Sequence, residues 1–203
     1  MTGGNHSDRA SVCLFVLCVM FSPVLRIVIF AQDVSSKAAV QLHIERSINY
    51  YTRGDLPSAI AELHAAQQLA PTDAQVNFML GNALYRYGDV AGAAEAYGKT
   101  VVVQPNHFEA HMSRGFAFFE AGKVDQAVGE WATAKRLELR EPFARAALAV
   151  GLYASGQVEE ARLQYAEAVA LNSRYRDPDN LRLDIRWKPR VLNIAKRLVQ
   201  ADR

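Results

Sequence analysis

The residues best suited to metal chemistry are two histidines spaced four apart, His107 and His111. Zinc-binding pairs on one helix face use this spacing. A zinc site also needs a third protein ligand, and Glu109, which stands between the two histidines, falls on another helix face. His43 and His64 have no partner at a telling spacing. We therefore expect no metal site.

Covalent and phosphate chemistry also lack their motifs. The sequence has no glycine-rich phosphate loop and no serine nucleophile elbow, and its two cysteines, Cys13 and Cys18, both lie in an apolar N-terminal stretch. The formal net charge of +2 is too small to favour generic nucleic-acid binding, which depends on neutralising phosphates. We expect a protein that is not an enzyme, needs no cofactor and binds no nucleic acid.

The N-terminal stretch, residues 11–31, is apolar apart from a single charge at Arg26. Arg9 precedes it, and Ala31 suits the last position before a cleavage site, so residues 1–31 are predicted to be a secretory signal peptide. An uncleaved membrane anchor is the alternative, because about 20 apolar residues can span a bilayer. Arg26 weighs against the anchor, since a cation deep in hydrocarbon is costly. The protein is expected to be exported and periplasmic or extracytoplasmic, or else anchored to a membrane by this segment.

Four series of residues recur at a step of 34 positions through most of the remaining chain. This step is typical of stacked helical hairpins, because a hairpin of that size buries its apolar face only against its neighbours. The series are Gly54, Gly88, Gly122 and Gly156; Ala59, Ala93, Ala127 and Ala161; Leu63, Tyr97, Trp131 and Tyr165; and Tyr51, Tyr85, Phe119 and Tyr153.

The residues around each repeated glycine predict how a hairpin turns. A glycine readily adopts the left-handed conformation that ends a helix. Asp55 and Asp89 each follow such a glycine and are predicted to cap the next helix, and Pro57 suits the first turn of that helix. The recurring alanine allows the two helices of a hairpin to approach closely, beside the bulky member of the third series.

With the glycine placed at position 15, the units resemble the tetratricopeptide repeat. The second unit matches best, with LGNALYRYGD followed by Ala93, Tyr97 and Pro105. Arg46 and Arg114 depart from the family at position 7, where a large apolar residue is expected. The resemblance implies an all-α, right-handed superhelical solenoid of four helix-turn-helix hairpins in residues 32–175. The four units are residues 40–73, 74–107, 108–141 and 142–175.

Residues 176–203 break the repeat and are expected to cap the solenoid. The run Trp187, Lys188 and Pro189 marks a helix start, because proline is favoured in the first turn. The following residues give one apolar face at helical spacing, which we expect to pack on the fourth hairpin. That face comprises Leu192, Ala195, Leu198 and Val199.

The family resemblance implies that the first helices of the hairpins line a concave groove, which binds a protein or peptide. The residues at the groove positions are unusually apolar, so they form either a binding surface or part of the core. The Lys and Asn pattern with which some family members hold acidic chaperone termini is missing here. The predicted groove residues are Ile44, Ile48, Tyr51, Phe78, Asn82, Tyr85, Arg86, Met112, Phe116, Phe119, Phe143 and Tyr153.

The sequence therefore predicts a non-catalytic scaffold that helps to assemble or organise an envelope or membrane complex. A homo-oligomeric structural protein is one alternative. An assembly factor for a photosynthetic or other membrane complex, held by residues 11–31, is another. The sequence does not identify the partner.

Overall fold

The computed structural model describes residues 23–181 and 186–200, and within them it shows helices and turns but no strand. Most of the predicted leader, residues 1–22, lies outside the described residues. No helix in the described part is long and apolar enough to cross a membrane. The helices are α1 (Pro23–Thr52), α2 (Leu56–Leu69), α3 (Ala74–Tyr87), α4 (Val90–Val103), α5 (Phe108–Glu120), α6 (Val124–Leu137), α7 (Pro142–Ala154), α8 (Val158–Leu171) and α9 (Pro189–Gln200), with 3₁₀ turns at Ser173–Arg176 and Pro178–Leu181 between α8 and α9.

The turns inside the hairpins follow the predicted pattern. Asp55 caps α2 by accepting a hydrogen bond from the Ser58 amide at 3.2 Å, and Asp89 caps α4 by accepting one from the Gly92 amide at 2.9 Å. Pro57 lies in the first turn of α2. The prediction of left-handed glycines is confirmed at every turn: φ is +81° at Gly54, +104° at Gly88, +77° at Gly122 and +85° at Gly156.

Within a hairpin, a large ring packs directly on a helical glycine. A Cβ placed on Gly81 would lie 2.5 Å from Tyr97 Cε1, so no larger residue fits there without displacing the ring. Gly115 has the same relation to Trp131, whose Nε1 donates to the Met112 carbonyl at 3.1 Å. The recurring alanines are fully buried between the paired helices. These contacts explain why small and bulky residues recur together at fixed positions.

The hairpins stack in chain order, because each helix contacts its neighbours in sequence and α9 returns to pack on α7 and α8. The predicted capping helix is confirmed, and it begins at Pro189. Leu192, Ala195 and Leu198 on its apolar face are buried, together with Val191. The four hairpins and the final helix thus form the expected all-α solenoid.

The two arginines at position 7 belong to polar clusters inside hairpins. In the third hairpin, Arg114 Nη1 donates to Glu130 Oε1 at 2.9 Å, and His111 Nδ1 lies 2.7 Å from Glu130 Oε2. His111 is buried and its Nε2 lies 2.9 Å from the Pro105 carbonyl. The hydrogen bond to Glu130 raises the pKa of His111 above its ordinary value.

The first hairpin contains the same cluster, two units earlier in the array. His43 Nδ1 lies 2.6 Å from Glu62 Oε2, and Arg46 Nη1 lies 4.0 Å from Glu62 Oε1. His43 thus has a hydrogen-bond partner that the sequence did not identify. Its partner stands 19 residues away on the other helix of the hairpin, which a search for short spacings does not reach.

Candidate peptide-binding groove

The first helices of the hairpins, α1, α3, α5 and α7, carry the residues that the family resemblance places on the groove. The C-terminal segment, defined here as residues 186–200, returns across this surface and contacts its rings. It divides the surface into an open half, mainly beside α1 and α3, and a covered half, mainly on α5 and α7. Tyr85 of α3 borders both halves, because Lys188 lies over its ring.

The open half contains a cavity of about 390 Å³ between the first three hairpins. A smaller cavity of about 150 Å³ adjoins it and shares Tyr51 and Asn82 with it. The larger cavity is lined by Tyr51, Phe78, Asn82, Tyr85, Tyr97, Glu109, Ser113 and Arg186. The smaller one is lined by Ser47, Ile48, Tyr51, Leu63, Met79 and Asn82. Aromatic walls with a few polar groups are the usual composition of a peptide-binding site.

Hydrogen bonds fix the polar groups of the open half. The Tyr97 hydroxyl donates to Asn82 Oδ1 at 2.9 Å, and burial raises the Tyr97 pKa, so this donor stays protonated. Within the described residues the Asn82 side-chain nitrogen has no partner, which leaves a donor for a peptide carbonyl. Arg86 Nη1 donates to the Tyr51 carbonyl at 3.3 Å, and its guanidinium carbon lies 4.8 Å from the centre of the Tyr51 ring. Arg86 therefore holds Tyr51 at the edge of the cavity.

The two histidines considered for metal binding have separate structural partners. His107 Nδ1 accepts from the Ala110 amide at 3.3 Å and caps α5, while its ring packs on Phe78 with centroids 4.9 Å apart. His111 is held by Glu130, as described above. Within the described residues, no group of three ligating side chains could hold a metal ion.

In the covered half, Trp187 is only 2% exposed. Its ring centroid lies 6.4 Å from that of Phe116, 6.1 Å from that of Phe143 and 6.5 Å from that of Tyr175. The sequence offered two interpretations of the groove aromatics, a binding surface and a core. In this half they pack beneath the chain's own C-terminal segment.

The predicted groove residues consequently fall into three sets. One set surrounds or borders the open half: Ile48, Tyr51, Phe78, Asn82, Tyr85 and Arg86. A second set lies beneath the C-terminal segment: Phe116, Phe119 and Phe143. The remaining residues pack in or against the core, with Ile44 and Met112 buried and Tyr153 half-buried.

Sequence reasoning did not place Arg186, Trp187, Lys188 and Arg190 on the groove. The sequence did contain an indication of this contact. A tryptophan among basic residues follows the repeats, and the apolar groove residues would form an exposed hydrophobic patch unless another segment packed on them. The α5 carbonyl that Arg190 reaches lies 71 residues back along the chain, and no local pattern specifies such a destination.

Comparison with known proteins identifies the repeat. The family model described as tetratricopeptide repeat matches residues 44–102 and 78–137. Residues 44–137 therefore carry tetratricopeptide repeats. A curated relative, the small glutamine-rich tetratricopeptide repeat-containing protein 2 of Mycosarcoma maydis, is 30% identical over 100 residues. That alignment covers 49% of this chain and 27% of the relative, so the chain spans about a quarter of the relative's length.

Solved tetratricopeptide structures share the fold. MamA residues 41 to the end, from Desulfovibrio magneticus, superposes with a TM-score of 0.65 at 19% identity, covering 81% of this chain and 95% of that one. A second MamA crystal structure gives 0.67 at 18% identity, with 80% and 87% covered. The first repeat domain of Spaghetti (RPAP3), bound to the HSP90 peptide SRMEEVD, gives 0.56 at 19% identity, with 59% and 94% covered. The tetratricopeptide fold is a scaffold for protein–protein interaction.

Proposed function

We propose that this tetratricopeptide protein is a non-catalytic scaffold that binds a segment of a partner protein in its groove, entering at the open half. The observation that carries the proposal is the cavity of about 390 Å³ bounded by Tyr51, Phe78 and Tyr85. Large rings supply contact area at small cost in side-chain entropy, and they dominate the energy of many interfaces. Asn82 offers a backbone-directed hydrogen bond that orients the bound segment.

The groove carries charges of both signs. The solved RPAP3 domain holds a peptide rich in Glu and Asp. In this chain Phe78 and Glu109 line the open half and Glu120 lies under the C-terminal segment. Arg186 lines the open half together with Glu109, and Lys188 lies 4.0 Å from Glu120, so these carboxylates each have a cation nearby.

The test is a selection of displayed peptides against the purified full chain, followed by affinity measurements on variants. Tyr51→Ala and Phe78→Ala should each weaken the selected peptides about tenfold or more, because both rings line the cavity. Tyr87→Ala is the matched control, since Tyr87 lies on the same helix as Phe78, is 59% exposed and lines neither cavity. Equal losses in all three variants, or no loss in any, would refute binding in the open half.

The place of action is proposed from the leader alone. Residues 1–31 direct the chain out of the cytoplasm or hold it at a membrane, where it assists assembly of an envelope complex. Cell fractionation with N-terminal sequencing tests this point. A soluble periplasmic form that begins at Gln32 supports export, a membrane-bound form with an intact leader supports the anchor, and a cytoplasmic form contradicts both.

A further inference from the structure

The C-terminal segment lies on the groove in the manner of a bound peptide. Trp187 is buried among Phe116, Phe143 and Tyr175, whereas the residues next to it, Arg186 and Lys188–Arg190, keep part of their surface in solvent. A single deep aromatic anchor inside a polar, charged rim is the usual anatomy of a protein–peptide interface. The apolar face of α9 follows, with Val191, Leu192, Ala195 and Leu198 buried against the solenoid, so the peptide-like part of the segment is Arg186–Arg190.

Three cations of the segment lie over three rings of the solenoid. The Arg186 guanidinium carbon is 4.3 Å from the centre of the Phe143 ring, and Lys188 Nζ is 4.3 Å from that of Tyr85. The Arg190 guanidinium carbon is 4.5 Å from the centre of the Phe119 ring. All three distances are within the range of cation–π attraction. The rings therefore select for positive charge as well as for apolar area.

The end of α5 adds a negative pole to the same site. Arg190 Nη1 donates to the Phe119 carbonyl at 3.0 Å, and Lys188 Nζ lies 4.0 Å from Glu120 Oε2. Both acceptors stand in the last turn of α5, where the helix dipole attracts cations. The charges of the segment and of the surface beneath it are thus complementary.

We propose that the covered half of the groove recognises a tryptophan flanked by basic residues, and that Arg186–Arg190 is its resident occupant. A partner protein that presents a segment of this basic–aromatic chemistry binds by displacing the resident one. This inference rests on the proposed function and specifies the partner's chemistry. Arg186 also lines the open cavity, so a longer partner segment continues from the covered half into the open half.

The test uses a fluorescent peptide with the sequence of residues 186–200 and full-length chains as receptors. Trp187→Ala removes the anchor of the resident segment, so this variant should bind the peptide at least tenfold more tightly than the wild-type chain. Tyr87→Ala, which leaves the resident segment in place, should behave as wild type. Peptides with alanine at the tryptophan, or with glutamine at Arg186, Lys188 and Arg190, should bind Trp187→Ala at least tenfold more weakly.

Circular dichroism checks that each receptor is folded at the assay temperature. A second receptor, Lys188→Gln with Arg190→Gln, keeps the tryptophan and should also bind the peptide more tightly than wild type. The inference is overturned if a folded receptor variant binds no more tightly than wild type, or binds the alanine peptide equally well. It is also overturned if both receptors unfold, because the segment is then an inseparable part of the core. Selected peptides that depend on Tyr51 and Phe78 but lack a basic–aromatic motif would refute this inference and leave the proposed function standing.

Discussion

Replacing Gly115 with alanine is expected to destabilise the protein, because the Trp131 indole leaves no space for a methyl group. A Cβ at this position would lie 2.6 Å from Trp131 Cδ1 and 2.8 Å from Cε2, whereas favourable carbon contacts lie at about 3.5–4.0 Å. The indole has little freedom to move away. It is fully buried, its Nε1 donates to the Met112 carbonyl, and its ring contacts Phe116 with centroids 5.0 Å apart.

The size of the effect follows by comparison with a second glycine of the same hairpin. Gly129 lies inside α6, and a Cβ there would meet no atom within 4 Å. Gly129→Ala should therefore stabilise the chain by about 0.5–1 kcal/mol through helix propensity alone. Gly115→Ala receives the same benefit but also suffers overpacking, which costs about 1–3 kcal/mol. Since propensity cancels between the two variants, their difference of about 1–3 kcal/mol isolates the steric term.

Urea unfolding followed by circular dichroism at 222 nm measures both variants against the wild-type chain. The unfolding midpoint should rise for Gly129→Ala and should lie well below that value for Gly115→Ala, with similar transition slopes. A midpoint for Gly115→Ala equal to or above that of Gly129→Ala would show that the ring yields freely. The packing of Trp131 on Gly115 would then not be the reason why this position holds glycine.

Three further outcomes are expected. The pKa of His111 is raised in the folded state, so the stabilising contribution of this histidine is complete below the unfolded pKa of about 6.5 and is lost as the pH rises through the folded pKa. The urea midpoint of the wild-type chain, relative to that of His111→Gln, should therefore fall as the pH is raised above about 6.5. Glu130→Gln should destabilise the protein by about 1–3 kcal/mol in urea unfolding, since it removes the shared charge partner of His111 and Arg114. As a control, Glu95→Gln, at an exposed ion pair with Lys99, should change the stability by less than about 0.5 kcal/mol. Gly88→Ala should lower the thermal midpoint by several degrees, because φ of +104° strains any residue with a Cβ, and a midpoint at or above the wild-type value would contradict this assignment.

The features that the sequence predicted correctly depend on contacts close in the chain. The left-handed turn at Gly88, the cap at Asp89 and the helix start at Pro189 each involve residues within a few positions of one another. The close approach at Ala93, beside Tyr97, joins the two helices of a hairpin, but every unit repeats these two positions and so makes the contact visible. Comparison of the four units within this one sequence therefore reveals the packing positions, as an alignment of related sequences would.

The features that the sequence did not reveal depend on distant partners that occur only once or twice. In the sequence, Arg46 and Arg114 are only departures from a position that is usually apolar. Their role was not visible, because their partners lie on the other helix of the hairpin and recur in every second unit instead of in each one. Trp187 lies outside the repeats, and its contact with Phe116 joins it to a unit much earlier in the chain. Local periodicity carries no information about where such a segment docks.

The alternation of hairpins has a consequence for how the array assembles. Position 7 is Arg46, Leu80, Arg114 and Leu148 in turn, so hairpins one and three differ in kind from hairpins two and four. The Arg114 guanidinium lies against Gly98, where even a methyl group would come within 3.2 Å of it. Stacking the third hairpin on the first would set Arg114 against His64, the residue equivalent to Gly98, and would crowd the guanidinium. Near-identical modules are prone to joining in the wrong order. The odd-and-even pattern therefore favours the native order, in which Arg114 meets a glycine, over stacking of the third hairpin on the first.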